Sequence, residues 1–169
     1  MTAEGTGPHP PTVHVSRSGT HVEIHAATVR DAEEVASLAD RFFAEEGFVL
    51  PEGGLGGRVE RYLVTEGHAI FLARGGGRPV AFATVATGFG LEYGWLAELE
   101  DLYVVPEERR RGIARTLVDR AANWAAGRGC SAVLVTVTPE GERAHTLTDF
   151  YTRLGFQDRG RRLLERSLA

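Results

Sequence analysis

Lysine is absent from this chain of 169 residues, so all 19 basic side chains are arginine. Cysteine occurs once. One cysteine excludes an internal disulfide and any structural zinc site built from several cysteines, and it fits a reducing compartment, the cytoplasm. Long apolar runs are missing too. Ala132 to Val135 is typical of those present, far below the roughly 20 residues that cross a bilayer. No basic head with an apolar stretch opens the chain, so no secretory leader is expected. An excess of positive charge is also lacking. The net charge is −4, from 23 acidic and 19 basic residues, which argues against a non-specific nucleic-acid binder. Of the six histidines only His21 and His25 stand four apart, in an alternating strand pattern and not on a helix, so no metal is expected.

What is present is ordinary for a globular protein: 43% hydrophobic and 25% charged residues. A chain of this length buries roughly 70% of its unfolded surface and needs no staples. Residues 1–19, with Pro8, Pro10 and Pro11 among Gly, Thr and Ser, read as a flexible tail. Residues 20–169 read as a single domain. Alternation over His21 to Ala26 predicts a strand, and Val35, Leu38, Ala39, Phe42 and Phe43 predict a helix that Gly47 stops. A short helix is expected from Arg58 to Thr65. Strands are expected at 68–73, 79–87 and 95–105, with a turn region from Gly88 to Gly94. The spacing of Ile113, Leu117, Ala121 and Trp124 predicts a helix from Gly112 to Gly127 or Gly129. Ser131 to Thr138 reads as a strand buried on both faces. Ala144 to Leu154 reads as one helix closed by Gly155, and Phe156 to Leu168 as one or two strands. Strands alternate with helices only in the second half. The fold class is therefore α/β (α+β mixed), with the parallel part of a mixed sheet late in the chain.

The stretch LEDLYVVPEERRRGIAR, Leu99 to Arg115, carries the chemistry. A strand runs into a turn, and the turn opens a helix. Arg109, Gly112 and Ala114 match [QR]-x-x-G-x-[GA]. Helix N-terminal amides lack intrahelical partners and sit at the positive end of the macrodipole, so they bind phosphate or pyrophosphate. Gly112 and Ala114 let a ligand approach the backbone, and Arg109, Arg110, Arg111 and Arg115 add positive charge. The plain alternative is a strand-turn-helix with a solvated arginine cluster. The GK[ST] end of a Walker loop is missing, and so is the dinucleotide GxGxxG.

That turn, preceded by LYVVP and followed downstream by Phe150-Tyr151-Thr152-Arg153-Leu154-Gly155-Phe156, resembles the GNAT family of acyl-CoA-dependent N-acetyltransferases over residues 20–168. The resemblance implies the GNAT fold, a mostly antiparallel mixed sheet of about six or seven strands, flanked by about four helices and splayed between its fourth and fifth strands. It implies acetyl-CoA as co-substrate. The backbone of Tyr103, Val104 and Val105 would pair with the pantetheine arm like an added strand. Amides of Arg110, Arg111, Gly112, Ile113, Ala114 and Arg115 would hold the pyrophosphate, with Arg109 in the same turn. Tyr151 would protonate the departing CoA thiolate, and an amide near Val104 would polarise the carbonyl. One departure is Ala144, where many relatives carry an Asn that contacts the cofactor.

The base is less determined. Stripping a proton from an alkylammonium at pH 7 costs roughly 4 to 5 kcal/mol. A carboxylate can accept it if burial or ordered water assists. Strict alternation puts Glu98, Glu100 and Leu102 on one face of the strand, and Leu99, Asp101 and Tyr103 on the other. Leu99 to Val104 is similar to an LEDxxV-type stretch of spermidine/spermine acetyltransferases, which implies Glu100 as base, with Glu98 and then Asp101 after it. Otherwise these are rim charges that hold a cation. Trp95, with Tyr93 and Glu92, is a candidate for the acceptor pocket, as are Phe43, Glu45, Glu46 and Phe48. His145 reads as a surface histidine on the helix of Tyr151.

The activity expected is acetyl transfer to a primary amine of a small cationic molecule, polyamine- or aminoglycoside-like. The alternatives are a protein or peptide N-acetyltransferase, or a non-catalytic acyl-CoA-binding module. No nucleic acid or membrane partner is expected. The resemblance allows a homodimer, which no residue of the sequence proves.

Overall fold

Six strands lie in one sheet in the order β1-β2-β3-β4-β5-β6, in a computed structural model that describes residues 12–17, 20–49 and 52–168. The chain parts into two compact units, one ending at Leu134 and one beginning at Val135.

In the first unit, β1 (Val13–Arg17), β2 (Thr20–Ala26), β3 (His68–Gly75), β4 (Arg78–Gly90) and β5 (Gly94–Val104) pair antiparallel in succession. β1 falls inside the stretch expected to be a tail. The remainder of that stretch, residues 1–11, 18 and 19, lies outside the described residues apart from Thr12. β4 and β5 run further than expected. Their ladder continues through Gly88 with Leu96 and Phe89 with Trp95 to Gly90 with Gly94, so the glycines extend a hairpin instead of ending it. β6 (Val133–Val135) follows α3 (Ile113–Ala126). Ser131 N–H donates to the Trp95 carbonyl at 2.9 Å, and Ala97 N–H donates to Ala132 at 3.0 Å. The residue numbers rise together, as in parallel strands. β6 is shorter than expected and not buried on both faces. It ends the sheet, and Leu134 is 41% exposed.

Helix starts and stops have local causes. Before α1 (Ala32–Glu46), Thr28 N–H donates to Asp31 Oδ2 at 2.8 Å and Arg30 N–H to Thr28 Oγ1 at 3.3 Å, a reciprocal cap. Gly47, at φ 74°, closes the helix in the left-handed region. α2 (Gly56–Val64) packs on α1 and β3. α3 lays Ile113, Leu117, Ala121 and Trp124 against β3, β4 and β5, the stripe its spacing predicts. Phe71 and Leu99 fill the core on that face, and Leu72 and Phe82 fill it on the face toward α1.

In the second unit the expected helix over 144–154 is two helices, α4 (Pro139–His145) and α5 (Leu147–Arg153). Thr138 Oγ1 caps α4 by accepting from Gly141 N–H at 3.0 Å. Thr146, at φ 49°, ends it. Glu142 then reaches forward and accepts from Thr148 N–H at 2.7 Å and Thr148 Oγ1 at 2.8 Å, capping α5. His145 is therefore on a different helix from Tyr151. Residues 157–168 form no strand among the described residues and are exposed throughout. Arg159, Gly160, Arg161 and Arg162 interrupt the apolar pattern there, and a strand needs a ladder partner to satisfy its backbone.

Candidate active site

The turn between β5 and α3 has the shape an anion needs. Arg110 sits at φ 62° and Gly112 at φ 84°, so successive amides swing toward one side as in an anion-binding nest. No side chain caps α3, which leaves its first-turn amides without an intrahelical partner. A Cβ built on Gly112 meets nothing within 4 Å, so the approach to the backbone is open. These features fit the pyrophosphate of a coenzyme. The Arg109 side chain faces the other way. Its Nε donates to the Val104 carbonyl at 2.9 Å, its Nη2 pairs with Glu45 of α1, and its guanidinium lies 5.8 Å from the Tyr103 ring centre. Tyr103 Oη donates to the other Glu45 oxygen at 3.2 Å. Burial first, and then the Glu45 charge, raises the Tyr103 phenol above its ordinary value. Arg111 pairs with Glu108 at 2.8 Å and Arg115 with Asp119 at 3.9 Å.

Further back on β5 the ladder slips. Thr84 pairs with Asp101 and Val85 with Leu99, leaving Glu100 as an extra residue. This β-bulge overturns the expected alternation. Cross-strand partners share a face, so Asp101 and Tyr103 join Thr84 and Phe82, and so does Glu98 through Ala86. That is the face of α1, since Phe42 meets the Tyr103 ring at 5.6 Å and Phe82 at 6.3 Å. Glu100 is exposed, and its Oε2 accepts from Tyr62 Oη of α2 at 2.7 Å. Thr84 Oγ1 donates to Asp101 Oδ2 at 2.8 Å and accepts Asp101 N–H at 2.9 Å. Burial raises the Asp101 carboxyl above its ordinary value, the Thr84 hydrogen bond opposes this, and the Glu100 charge adds to it. Trp95 is not brought to this cluster. It shares the face of Ala97 and Leu99 by register, stands at the hairpin end 49% exposed, and meets Phe89 at 5.5 Å.

The end of β5 also offers backbone groups. Val105 N–H donates to the Val80 carbonyl at 2.9 Å. Backbone groups alternate sides along a strand, so Val104 N–H points away from β4, as does the Val104 carbonyl that Arg109 engages.

In the second unit, Tyr151 is buried between Phe150, at 5.0 Å, and Phe156, at 5.3 Å. No described group hydrogen-bonds its hydroxyl. Burial pushes its pKa up to about 12.

The family model described as the acetyltransferase (GNAT) family matches residues 32–156. The chain belongs to the GNAT acetyltransferase family. An uncharacterized N-acetyltransferase of Mycobacterium bovis is 31% identical over 142 residues, 78% of this chain and 86% of that protein. The thialysine N-epsilon-acetyltransferase of Bos taurus is 37% identical over 78 residues, 42% of this chain and 44% of that enzyme. In this and other curated relatives the chain covers less than half of the relative's length. An aminoglycoside N-acetyltransferase solved with CoA superposes with a TM-score of 0.75 at 21% identity, covering 92% of this chain and all of that one. The mixed sheet and its flanking helices are thus the GNAT fold.

Two residues that contact these carboxylates escape a reading by spacing. Tyr62 lies 38 positions before the carboxylate it touches, and Thr84 lies on the neighbouring strand. A polar threonine in an otherwise apolar strand, Val80 to Val85, was the one local signal for Thr84.

Proposed function

We propose that the protein transfers an acetyl group from acetyl-CoA to a primary amine of a small cationic molecule, by direct attack in a ternary complex. The observation that carries this reading is the bulge at Glu100. It brings Glu98 and Asp101 to one face, with the Glu100 charge beside Asp101, on a strand whose end opens into the anion-shaped turn. A negative cluster attracts a cation and holds its amine, and a thialysine acetyltransferase among the relatives is consistent with an amine acceptor.

Acetyl-CoA supplies the activated acyl group as a thioester. The uncapped amides of Ile113, Ala114 and Arg115, with those of Arg110, Arg111 and Gly112, hold its pyrophosphate. The edge of β5 at Tyr103 to Val105 aligns the pantetheine arm, and Val104 N–H donates to the thioester carbonyl oxygen. The amine nitrogen forms the new C–N bond as the C–S bond breaks. Glu100 takes the proton the nitrogen loses. Tyr151 donates to the departing sulfur, and the proton follows. A phenol held near 12 stays protonated across the working range. An apolar surrounding raises the basicity of the thiolate in the same direction, which keeps that transfer accessible.

The test is thiol release from acetyl-CoA against polyamines, aminoglycosides, amino acids and peptides. Amine-dependent release with one class of small cation is expected. Glu100→Gln and Tyr151→Phe should each lower kcat/KM by about 100-fold, the lower end of the usual range for proton-transfer groups. The Tyr151→Phe loss should be constant between about pH 7 and 9, because ionisation of Tyr151 begins well above that window. Thermal stabilisation by acetyl-CoA with no turnover on any amine would instead favour a binding module.

A further inference from the structure

We infer that Tyr62 is a positioning residue for acetyl transfer: its hydroxyl holds one oxygen of the Glu100 carboxylate and turns the other toward the amine. The inference rests on the reading of Glu100 as the base.

Four observations carry it. Tyr62 Oη donates to Glu100 Oε2 at 2.7 Å, while no described donor engages Oε1. Glu100 is the extra residue of the bulge, so cross-strand pairing does not set the direction of its side chain, and it is exposed. A long exposed carboxylate samples several rotamers, and an orienting hydrogen bond removes that freedom before the amine arrives. Tyr62 is itself held. Its ring meets the His68 ring edge-on at 4.7 Å, and His68 Nδ1 donates to the Glu66 carbonyl at 3.1 Å. The end of α2 is tied to β3 through Thr65: Thr65 N–H donates to the Tyr62 carbonyl at 3.3 Å, and His68 N–H donates to Thr65 at 3.2 Å. Thr65 Oγ1 adds a bond to the Arg61 carbonyl at 2.7 Å.

The charges around the phenol keep it a donor. Burial, the Glu100 hydrogen bond and the charges of Glu100 and Asp101 all push its pKa far above the ordinary tyrosine range, against one opposing hydrogen bond from Thr84. Tyr62 therefore does not exchange protons in the reaction. It cannot replace Glu100, and its contribution passes through Glu100.

A double-mutant cycle on the full chain tests this. Tyr62→Phe keeps the ring and removes the hydroxyl. Its kcat with the best amine should fall about tenfold, with KM for acetyl-CoA and the melting temperature little changed. In the Glu100→Gln background the same change should have no further effect on kcat. His68→Leu, which leaves the hydroxyl but removes the ring's edge partner, should lower kcat less, and again only when Glu100 is present. Wild-type kcat in Tyr62→Phe, with Glu100→Gln impaired, overturns the role of Tyr62 and leaves Glu100 as base. A full tenfold loss added on top of Glu100→Gln overturns it too, because Tyr62 would then act independently. Wild-type turnover in Glu100→Gln overturns the base assignment and the role of Tyr62 together.

Discussion

Arg109 is a motif residue whose side chain turns back onto the protein. The pattern [QR]-x-x-G-x-[GA] suggests a cation for the phosphates. The side chain instead ties the turn to the Val104 carbonyl and to Glu45. We expect it to hold the turn in shape while backbone amides do the binding. The pair is about one-third exposed on each side, so its net worth is on the order of 1 kcal/mol. Glu45→Gln should therefore weaken acetyl-CoA binding by about fivefold, read by calorimetry. Unchanged affinity would mean that the strand end alone shapes the turn. Glu45 and Arg109 are 64 positions apart, and no local pattern links them.

At the scale of elements, the informative case is the break between α4 and α5. Apolar spacing over Ala144 to Leu154 is compatible with one helix. Glu142 decides otherwise by capping a new helix at Thr148. The junction forces Thr146, a β-branched residue, to φ 49°, a conformation that costs a non-glycine residue of order 1 to 3 kcal/mol. Glycine adopts it freely but loses more entropy on folding. Thr146→Gly should thus raise stability by up to about 1 kcal/mol, visible as a higher melting temperature with α4 and α5 retained by circular dichroism. A fall in stability would show that the hydrogen bond from Thr146 Oγ1 to the His145 carbonyl, at 2.7 Å, outweighs the strain. The strands make the same point. Element types over β2 to β5 follow from alternation and turn residues, but β6 is short because it ends the sheet, and the hairpin is long because its glycines find ladder partners.

For the molecule as a whole, one polar cluster joins β2, β3 and α1. Arg74 Nη2 donates to Asp31 Oδ1 and to Glu34 Oε2, both at 2.8 Å, and Nη1 donates to His25 Nε2 at 2.9 Å. Burial alone would raise the Asp31 carboxyl. The hydrogen bonds from Arg74 and Thr28 outweigh it and hold the pKa at about 2, against an ordinary 3.8. A carboxyl lowered on folding stabilises the fold above its unfolded pKa, and this stability is lost as pH falls through its folded pKa. The gain, about 2 kcal/mol, is complete above about pH 5 and fades toward pH 2. Asp31→Asn should therefore lower the urea midpoint near pH 6, and the gap to wild type should narrow toward pH 2. An equal gap at both pH values would show that the cap geometry, and not the charge, is what Asp31 contributes.

The sequence by itself determined the mixed α/β class, the strand-turn-helix with its uncapped amides, the apolar stripe of α3 and the GNAT resemblance. These depend on periodicity, helix ends and glycine, all of which act within a few residues. Only the tertiary structure decided that Glu100 is a bulge, that Asp101 shares the face of Glu98, and that Tyr62 meets Glu100 and Glu45 meets Arg109. At the bulge, Thr84 on the adjacent strand accepts the Asp101 N–H with its side chain, and no rule along β5 alone contains that partner. A register shift of one residue reverses the face of every later side chain. Local reading singled out the strand and its carboxylates, and long-range pairing chose the face.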